Sequence, residues 1–209
     1  MTTFQYKGLY AITDKKLINR SRFTNIVESV LIGGAGILQL REKGTLDEEI
    51  VKIGKTLLKI TKKYNVPLII NDSPEIALEI DADGVHLGEN DPKISYARKI
   101  LGDKKIIGVS CYGELRRGIE AVKSGADYLA FGTPYHTPTK PDRKPTSFEI
   151  LAKARATFKN IPIFAIGGIN AHNAGEVLET GVDGIAVITD IFGSDNPQES
   201  ARKLSGFFD

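Results

Sequence analysis

The stretch LQLREK places an amide and two cations at alternate positions, Gln39, Arg41 and Lys43. At the end of a β-strand, the period of two turns all three to one side. A third cation, Lys140, stands in GTPYHTPTKPD (132–142) beside Thr137 and Thr139. Cations converging from separate segments suit a ligand of high negative charge, such as a diphosphate. Asp72 and Asp91 are hard carboxylates of the kind that hold Mg2+ together with phosphate oxygens. Asn71 and Ser110 add neutral hydrogen-bonding groups. Gly167–Gly168, read as the turn before a helix starting near Asn170, offers main-chain N–H groups to an anion. Ile188–Thr189 closes an apolar run just ahead of another helical turn. The set divides into two phosphate sites, one rich in cations and carboxylates and one built from main-chain amides.

Taken singly, each residue has a plainer role. Arg41 and Lys43 could be a solvated pair at a rim. Asp72, before Ser-Pro-Glu, and Asp91, before Pro92, could each cap a helix. The Gly pair could be only a tight turn. His86, inside the apolar run GVHLG, is expected to be a packed, hydrogen-bonded histidine, while His136 and His172 read as loop residues. Cys111, with no histidine close in sequence, reads as a small loop residue and not a nucleophile. No Cys/His cluster has zinc spacing. The functional reading rests on convergence, because one ligand pair would explain all these groups at once.

That convergence requires a scaffold that brings many strand ends to one face. Near-continuous apolar runs lie at 9–13, 36–40, 67–71, 84–87, 105–110, 127–131, 162–166 and 184–188. Strands buried on both faces of a parallel sheet read this way. Amphipathic segments lie between most of them. The segment 45–65 carries Ile50, Ile53, Leu57, Leu58 and Ile60 near one stripe, and Thr45 with Glu48 predicts a capping box at its start. Shorter helices are expected at 73–80, 145–160, 170–181 (with Gly181 at its C-terminal cap) and 196–208. Eight such units in 209 residues predict an α/β chain folded as a (β/α)8 TIM barrel, one domain over 1–209. An open doubly wound sheet is the rival, but DKKLINRS after the first strand cannot serve as its Gly-rich fingerprint.

Bulk composition narrows the classes. A net charge of +2 gives no strong field for nucleic acid or a membrane surface, and 41% hydrophobic residues suffice for a full core. One cysteine excludes an internal disulfide framework. The N-terminus lacks a signal-peptide pattern, and no apolar run is long enough to span a bilayer. A soluble cytoplasmic protein acting on small molecules is expected, with assembly into homo-oligomers left open.

LYAITD, LQLREK, PLIINDSPEIALEIDADGVHLGEND, GVSCYG, GTPYHTPTKPD, AIGGIN and GIAVITDIF together resemble the thiamine phosphate synthase family, over almost the whole chain. The resemblance implies a (β/α)8 barrel. It also implies an Mg2+-dependent transferase that joins hydroxymethylpyrimidine diphosphate to thiazole phosphate and releases diphosphate. It assigns Gln39, Arg41, Lys43, Asn71, Ser110 and Lys140 to the pyrimidine diphosphate, with Arg41, Lys43, Ser110 and Lys140 catalytic. It assigns Asp72 and Asp91 to the metal, and Thr137, Thr139, Gly168, Ile188 and Thr189 to the thiazole phosphate. Two places depart from the family pattern: Cys111–Tyr112, where many relatives carry a small residue and then histidine, and Ile188–Thr189 in place of a hydroxyl-first pair. The alternatives are a thiazole tautomerase of the same superfamily, which has no evident use for the carboxylates and cations, and a non-catalytic sensor of thiazole phosphate. A barrel epimerase would require a paired acid and base that the strand ends do not show.

Overall fold

A computed structural model of the chain describes residues 7–137 and 144–208. Eight parallel strands close into a barrel in sequence order: β1 Gly8–Ile12, β2 Ile37–Leu40, β3 Leu68–Asn71, β4 Gly84–Leu87, β5 Ile106–Tyr112, β6 Tyr128–Gly132, β7 Ile163–Ile166 and β8 Gly184–Val187. The helices between them are α1 Phe23–Ile32, α2 Asp47–Lys63, α3 Pro74–Glu79, α4 Ile94–Leu101, α5 Leu115–Lys123, α6 Phe148–Thr157, α7 Ala174–Leu178, α8 Thr189–Phe192 and α9 Pro197–Ser205. The TIM-barrel expectation holds, and strand boundaries fall within a residue or two of those read from the sequence.

The apolar runs serve two cores. Leu38, Leu40, Leu68, Ile70, Val85, Ile107 and Leu129 face the helices. Alternate residues, among them Tyr10, Ile12, Ile37, Ile69, Tyr128, Phe164 and Ala186, fill the barrel interior. Alternation is therefore present, but it separates two buried faces and leaves no polar signature. Inside the barrel, Tyr128 occupies the space that Gly108 leaves open. A Cβ on Gly108 would lie 1.9 Å from the Tyr128 Cζ.

At the N-terminal rim, three aspartates clamp neighbouring strands. Asp83 Oδ2 accepts from Leu68 N at 2.8 Å, Asp127 Oδ2 from Ile107 N at 2.7 Å and Asp183 Oδ2 from Ile163 N at 2.9 Å. Each aspartate N–H also donates to the carbonyl of the same residue, at 2.8–3.0 Å. Before β2 the equivalent residue is Gly36. It donates to Leu9 O at 2.8 Å but has no side chain to complete the clamp.

Local expectations needed several corrections. Helix α2 starts at Asp47, two residues after Thr45, and Leu46 at its N-cap makes no side-chain cap, so the Thr45–Glu48 capping box does not form. Asp47, Glu48 and Glu49 in the first turn complement the helix dipole instead. Its buried stripe runs through Val51, Gly54, Leu57, Leu58 and Thr61; Ile50, Ile53 and Ile60 are half-buried beside it. Strand β5 continues past Ser110 through a bulge to Tyr112, so Cys111 is a buried strand residue and not a loop residue. Asn170 does not start a helix. Its N–H bonds Asn173 Oδ1 at 2.8 Å and α7 begins at Ala174, so the Gly167–Gly168 turn is not a helix N-terminus. Gly181 lies beyond the α7 C-cap, Glu179, with φ +83°.

Candidate active site

The C-terminal strand ends form a cleft of three pockets that share walls. The central one, about 130 Å³, is bordered by Tyr10, Gln39, Asn71, His86, Ser110, Tyr112 and Ala130. On one side, through Arg41, Asn71, His86, Ser110 and Tyr112, it meets a polar pocket of about 230 Å³ that also holds Lys43, Asp72 and Asp91. On the other side, through Thr137, Ile166, Gly167, Ala186 and Ile188, it meets a pocket of about 300 Å³ walled by Gly168, Ile169, Asn170, Thr189 and Ser194. All the sequence-derived site residues within the described regions line this cleft. Thr139 and Lys140 lie outside the described residues.

The alternation in LREK continues beyond the strand. Gln39, Arg41 and Lys43 face the cleft, while Glu42 between them turns into the protein, its carboxylate pairing with Arg20 at 2.9 Å. Burial raises the Glu42 pKa, against the pull of Arg20. Arg41 is oriented by Asp14, Nη1 to Oδ2 2.9 Å, both side chains being mostly buried. Lys43 pairs with Asp72.

Asp72 has φ +67° and does not cap α3. Ser73 does, accepting from Ile76 N at 3.2 Å, which leaves the Asp72 carboxylate for the cleft. Asp91 does not cap α4 either, since the helix begins at Ile94 and Asp91 Oδ2 accepts from Gly88 N at 2.6 Å. The Asp91 carboxyl titrates above the ordinary range, because of burial first and then hydrogen bonding to Asp72. Two carboxylates in contact with each other fit a divalent cation, which would relieve their repulsion, leaving its remaining positions to water or phosphate oxygen. Among the described residues no group of three or more His, Cys, Asp or Glu surrounds such an ion.

The Thr/Pro loop leaves and returns at one point. Thr133 N donates to Ile166 O at 3.1 Å and Thr146 N to Thr133 O at 3.0 Å. Its first half packs on the glycine turn: Thr133 Oγ1 donates to Gly167 O, and Tyr135 Oη donates to Glu176 Oε2 at 2.6 Å. Gly168 has φ +60°, and a Cβ there would lie 2.3 Å from His136 O. The pocket beside the glycine turn is thus bounded where the two loops pack together.

Several residues of the cleft were not among the sequence candidates. Tyr10 lines it and bonds Tyr128, buried in the barrel interior, at 2.8 Å. Tyr128 also bonds His86 Nδ1 at 2.9 Å, and His86 Nε2 bonds Ser110 Oγ at 2.9 Å. His86 is thus the packed, hydrogen-bonded histidine that its setting predicts. Tyr112 lines the cavity at φ +56°, beneath the Arg117 guanidinium. The available signal was a phenol in an aliphatic strand, since a buried Tyr hydroxyl requires a partner.

A profile of the family described as thiamine monophosphate synthase matches residues 9–191. The chain belongs to this family. Curated thiamine-phosphate synthases from Clostridium tetani and Clostridium novyi are similar to it. The first is 41% identical over 96% of this chain and 95% of its own length. The second is 46% identical over 94% and 96%. A solved structure described as thiamine phosphate pyrophosphorylase from Pyrococcus furiosus superposes with a TM-score of 0.86 at 41% identity, covering 94% of this chain and 93% of the other. The activity is that of a thiamine-phosphate synthase, a transferase, and the tautomerase and sensor alternatives find no support in these likenesses. Among the described residues no helix is long and apolar enough to cross a membrane.

Proposed function

We propose that the cleft binds hydroxymethylpyrimidine diphosphate and thiazole phosphate side by side and transfers the pyrimidinylmethyl group from diphosphate oxygen to thiazole nitrogen. The observation that carries this reading is the arrangement of the pockets: one with cations and paired carboxylates and one walled by the Gly167–Gly168 turn and Ile188–Thr189 flank a single cavity and share its walls. Gln39, Asn71 and Ser110 border the pyrimidine ring. Arg41 and Lys43, with Lys140 from the Thr/Pro loop, take the diphosphate. Thr137, Thr139, Gly168, Ile188 and Thr189 take the thiazole phosphate.

The chemistry requires no general base. The carbon–oxygen bond to the diphosphate breaks, and its electron pair leaves with the diphosphate. The aminopyrimidine spreads the positive charge left on the methylene carbon, and the thiazole nitrogen lone pair then forms the new carbon–nitrogen bond. Protein cations aimed at the departing oxygens stabilise the charge that develops there, and loss of one such donor typically costs about a hundredfold to a thousandfold in rate. Asp72 and Asp91 would hold Mg2+, which supplies further neutralisation of the leaving diphosphate. The shared walls bring the two reacting atoms into line, so part of the barrier is met by positioning. The protein acts in this reading as one domain, 1–209, in the cytoplasm.

The test is to supply the pyrimidine diphosphate and Mg2+ with and without thiazole phosphate and to follow diphosphate and thiamine phosphate together. Coupled formation of both is expected. Asp72→Ala, Asp91→Ala and Lys140→Ala should each slow turnover by about a hundredfold or more while the fold is kept. Near-normal rates at saturating Mg2+ in all three would sink the assignment of these residues.

A further inference from the structure

A pocket of about 230 Å³ lies on the rim beside the cleft and has no part in the transfer described above. Its walls include Asp14, Lys15 and Lys16 of the β1–α1 loop, Arg41 and Lys43 of LREK, and Thr189. Strand β1 pairs with β2 on one side and β8 on the other, so this pocket sits between the two that flank the central cavity. It shares Arg41 and Lys43 with the pocket of paired carboxylates, and Thr189 with the pocket beside the glycine turn.

Four cations and one carboxylate line it, and the carboxylate is already engaged. Asp14 Oδ2 accepts from Arg41 Nη1 and Asp14 Oδ1 from Lys16 N, both at 2.9 Å. Leu17 N and Ile18 N donate to Asp14 O at 3.0 and 3.2 Å, so the turn that carries the two lysines is fixed. Lys15 reaches over to the segment after Lys43, where its Nζ donates to Thr45 Oγ1 at 3.4 Å. Glu42, whose carboxylate feels the charge of Lys15, has a fully buried side chain and pairs with Arg20. Lys15 and Lys16 are exposed, and among the described residues neither forms an ion pair. Cations thus converge on a concave place whose own acid is spent, which suits an anion of high charge. Arg41 and Lys43 wall this pocket and the diphosphate pocket alike. A separate small anion would compete with the diphosphate for those two side chains, whereas a group joined to the diphosphate would share them.

We propose that the β1–α1 loop supplies a further phosphoryl subsite, in which Lys15 and Lys16 receive the third phosphoryl group of a linear triphosphate whose first two groups occupy the diphosphate pocket. Such a chain, free or as the tail of a nucleotide, excludes the pyrimidine diphosphate, so the subsite makes the enzyme sensitive to polyphosphates. The inference rests on the diphosphate reading above.

Thiamine phosphate formation by the wild-type preparation is checked first. Kd for inorganic diphosphate and for inorganic triphosphate is then measured by calorimetry, at saturating Mg2+ and about 0.1 M salt, where long-range attraction between exposed charges is largely screened. Three proteins are compared: the wild type, the double variant Lys15→Ala/Lys16→Ala, and the double variant Lys52→Ala/Lys59→Ala, which removes the same charge from the exposed face of α2. The wild type is expected to bind triphosphate about tenfold or more tightly than diphosphate, the value of one charge-assisted hydrogen bond. The Lys15/Lys16 variant should lower that preference to about threefold or less, and the Lys52/Lys59 variant should keep it. Adenosine triphosphate, run beside the inorganic chain, loses affinity in the Lys15/Lys16 variant if a nucleotide tail enters the subsite, and binds all three proteins alike if only a free chain does. A preference absent from the wild type, retained without Lys15 and Lys16, or lost equally in the Lys52/Lys59 variant overturns the subsite alone. Failure of the wild type to form thiamine phosphate overturns the substrate reading on which the subsite rests.

Discussion

Gly168→Ala tests how the pocket beside the glycine turn is built. An alanine at φ +60° occupies left-handed backbone, which costs about 1–2 kcal/mol. Its Cβ would also stand 2.3 Å from His136 O and 2.8 Å from Tyr135 Cβ, where contacts under 3.0 Å are essentially never found. The obstacle is a main-chain carbonyl, so no side chain can swing aside. Residues 135–136 must retreat by at least about 0.7 Å, the difference between 3.0 and 2.3 Å. That shift strains the Thr133–Gly167 and Tyr135–Glu176 hydrogen bonds, each worth roughly 1 kcal/mol. A total near 2–3 kcal/mol is expected. In a chain of this size it lowers Tm by roughly 4–12 °C, at about 2–4 °C per kcal/mol. The displaced loop leads into Thr137, which walls the pocket proposed for thiazole phosphate, so KM for thiazole phosphate should rise by about tenfold or more while KM for the pyrimidine diphosphate stays within about twofold. Steady-state kinetics with each substrate varied, beside a thermal melt, reads both effects. A variant with wild-type Tm and wild-type KM would refute the packing of the Thr/Pro loop on this turn.

Asp14→Ala removes the anchor of the Arg41 guanidinium. A charge-assisted hydrogen bond of roughly 1.5–3 kcal/mol is lost, so kcat/KM should fall about tenfold or more, chiefly through KM for the pyrimidine diphosphate. Cys111 predicts an alkaline effect on stability. Burial pushes its thiol up to about 12, whereas the unfolded thiol ionises near 8.5. The unfolded chain releases that proton first, so stability is lost as pH rises from about 8.5 towards 12, at up to about 1.4 kcal/mol per pH unit. Urea unfolding at pH 8 and pH 10 should therefore show Cys111→Ala losing about 2 kcal/mol less than the wild type over that interval; equal losses would mean the thiol is accessible to water.

What the sequence disclosed and what it concealed follow from range. The charged set was legible because strand ends in a barrel meet at one face, so Arg41, Lys43, Asp72 and Asp91 could be gathered without knowing any contact. Their partners were not, since the Arg41–Asp14 pair joins residues 27 apart and the Tyr10–Tyr128 bond residues 118 apart. The capping box failed because Thr45 follows LREK by one glycine and its N–H is taken by Glu42 O at 3.1 Å, so the chain turns there before the helix begins. In the α2 stripe Leu57 and Leu58 were read correctly, but Ile50, Ile53 and Ile60 were each one residue off, because hydrophobicity favours a half-buried Ile over a buried Gly54 or Thr61, although Gly54 packs against Ile80. Cys111 looked like loop because the β5 bulge carries the strand beyond Ser110.

The aspartate clamps also decide where the cylinder parts. They pin β3 to β4, β5 to β6 and β7 to β8, and each held strand is fastened by side chain and main chain together. The corresponding joint between β1 and β2 has Gly36 and a single main-chain bond at that rim. On its other side, β1 meets β8, where Gly8 N donates to Asp183 O at 3.0 Å. The first strand, like the second, is therefore a stave with a clamp on neither side, and its amide protons should exchange with solvent before those of β3, β5 and β7. Tyr10 belongs to that stave, so each such opening would lift one residue of the cavity floor out of place while the remaining staves still hold the barrel's shape.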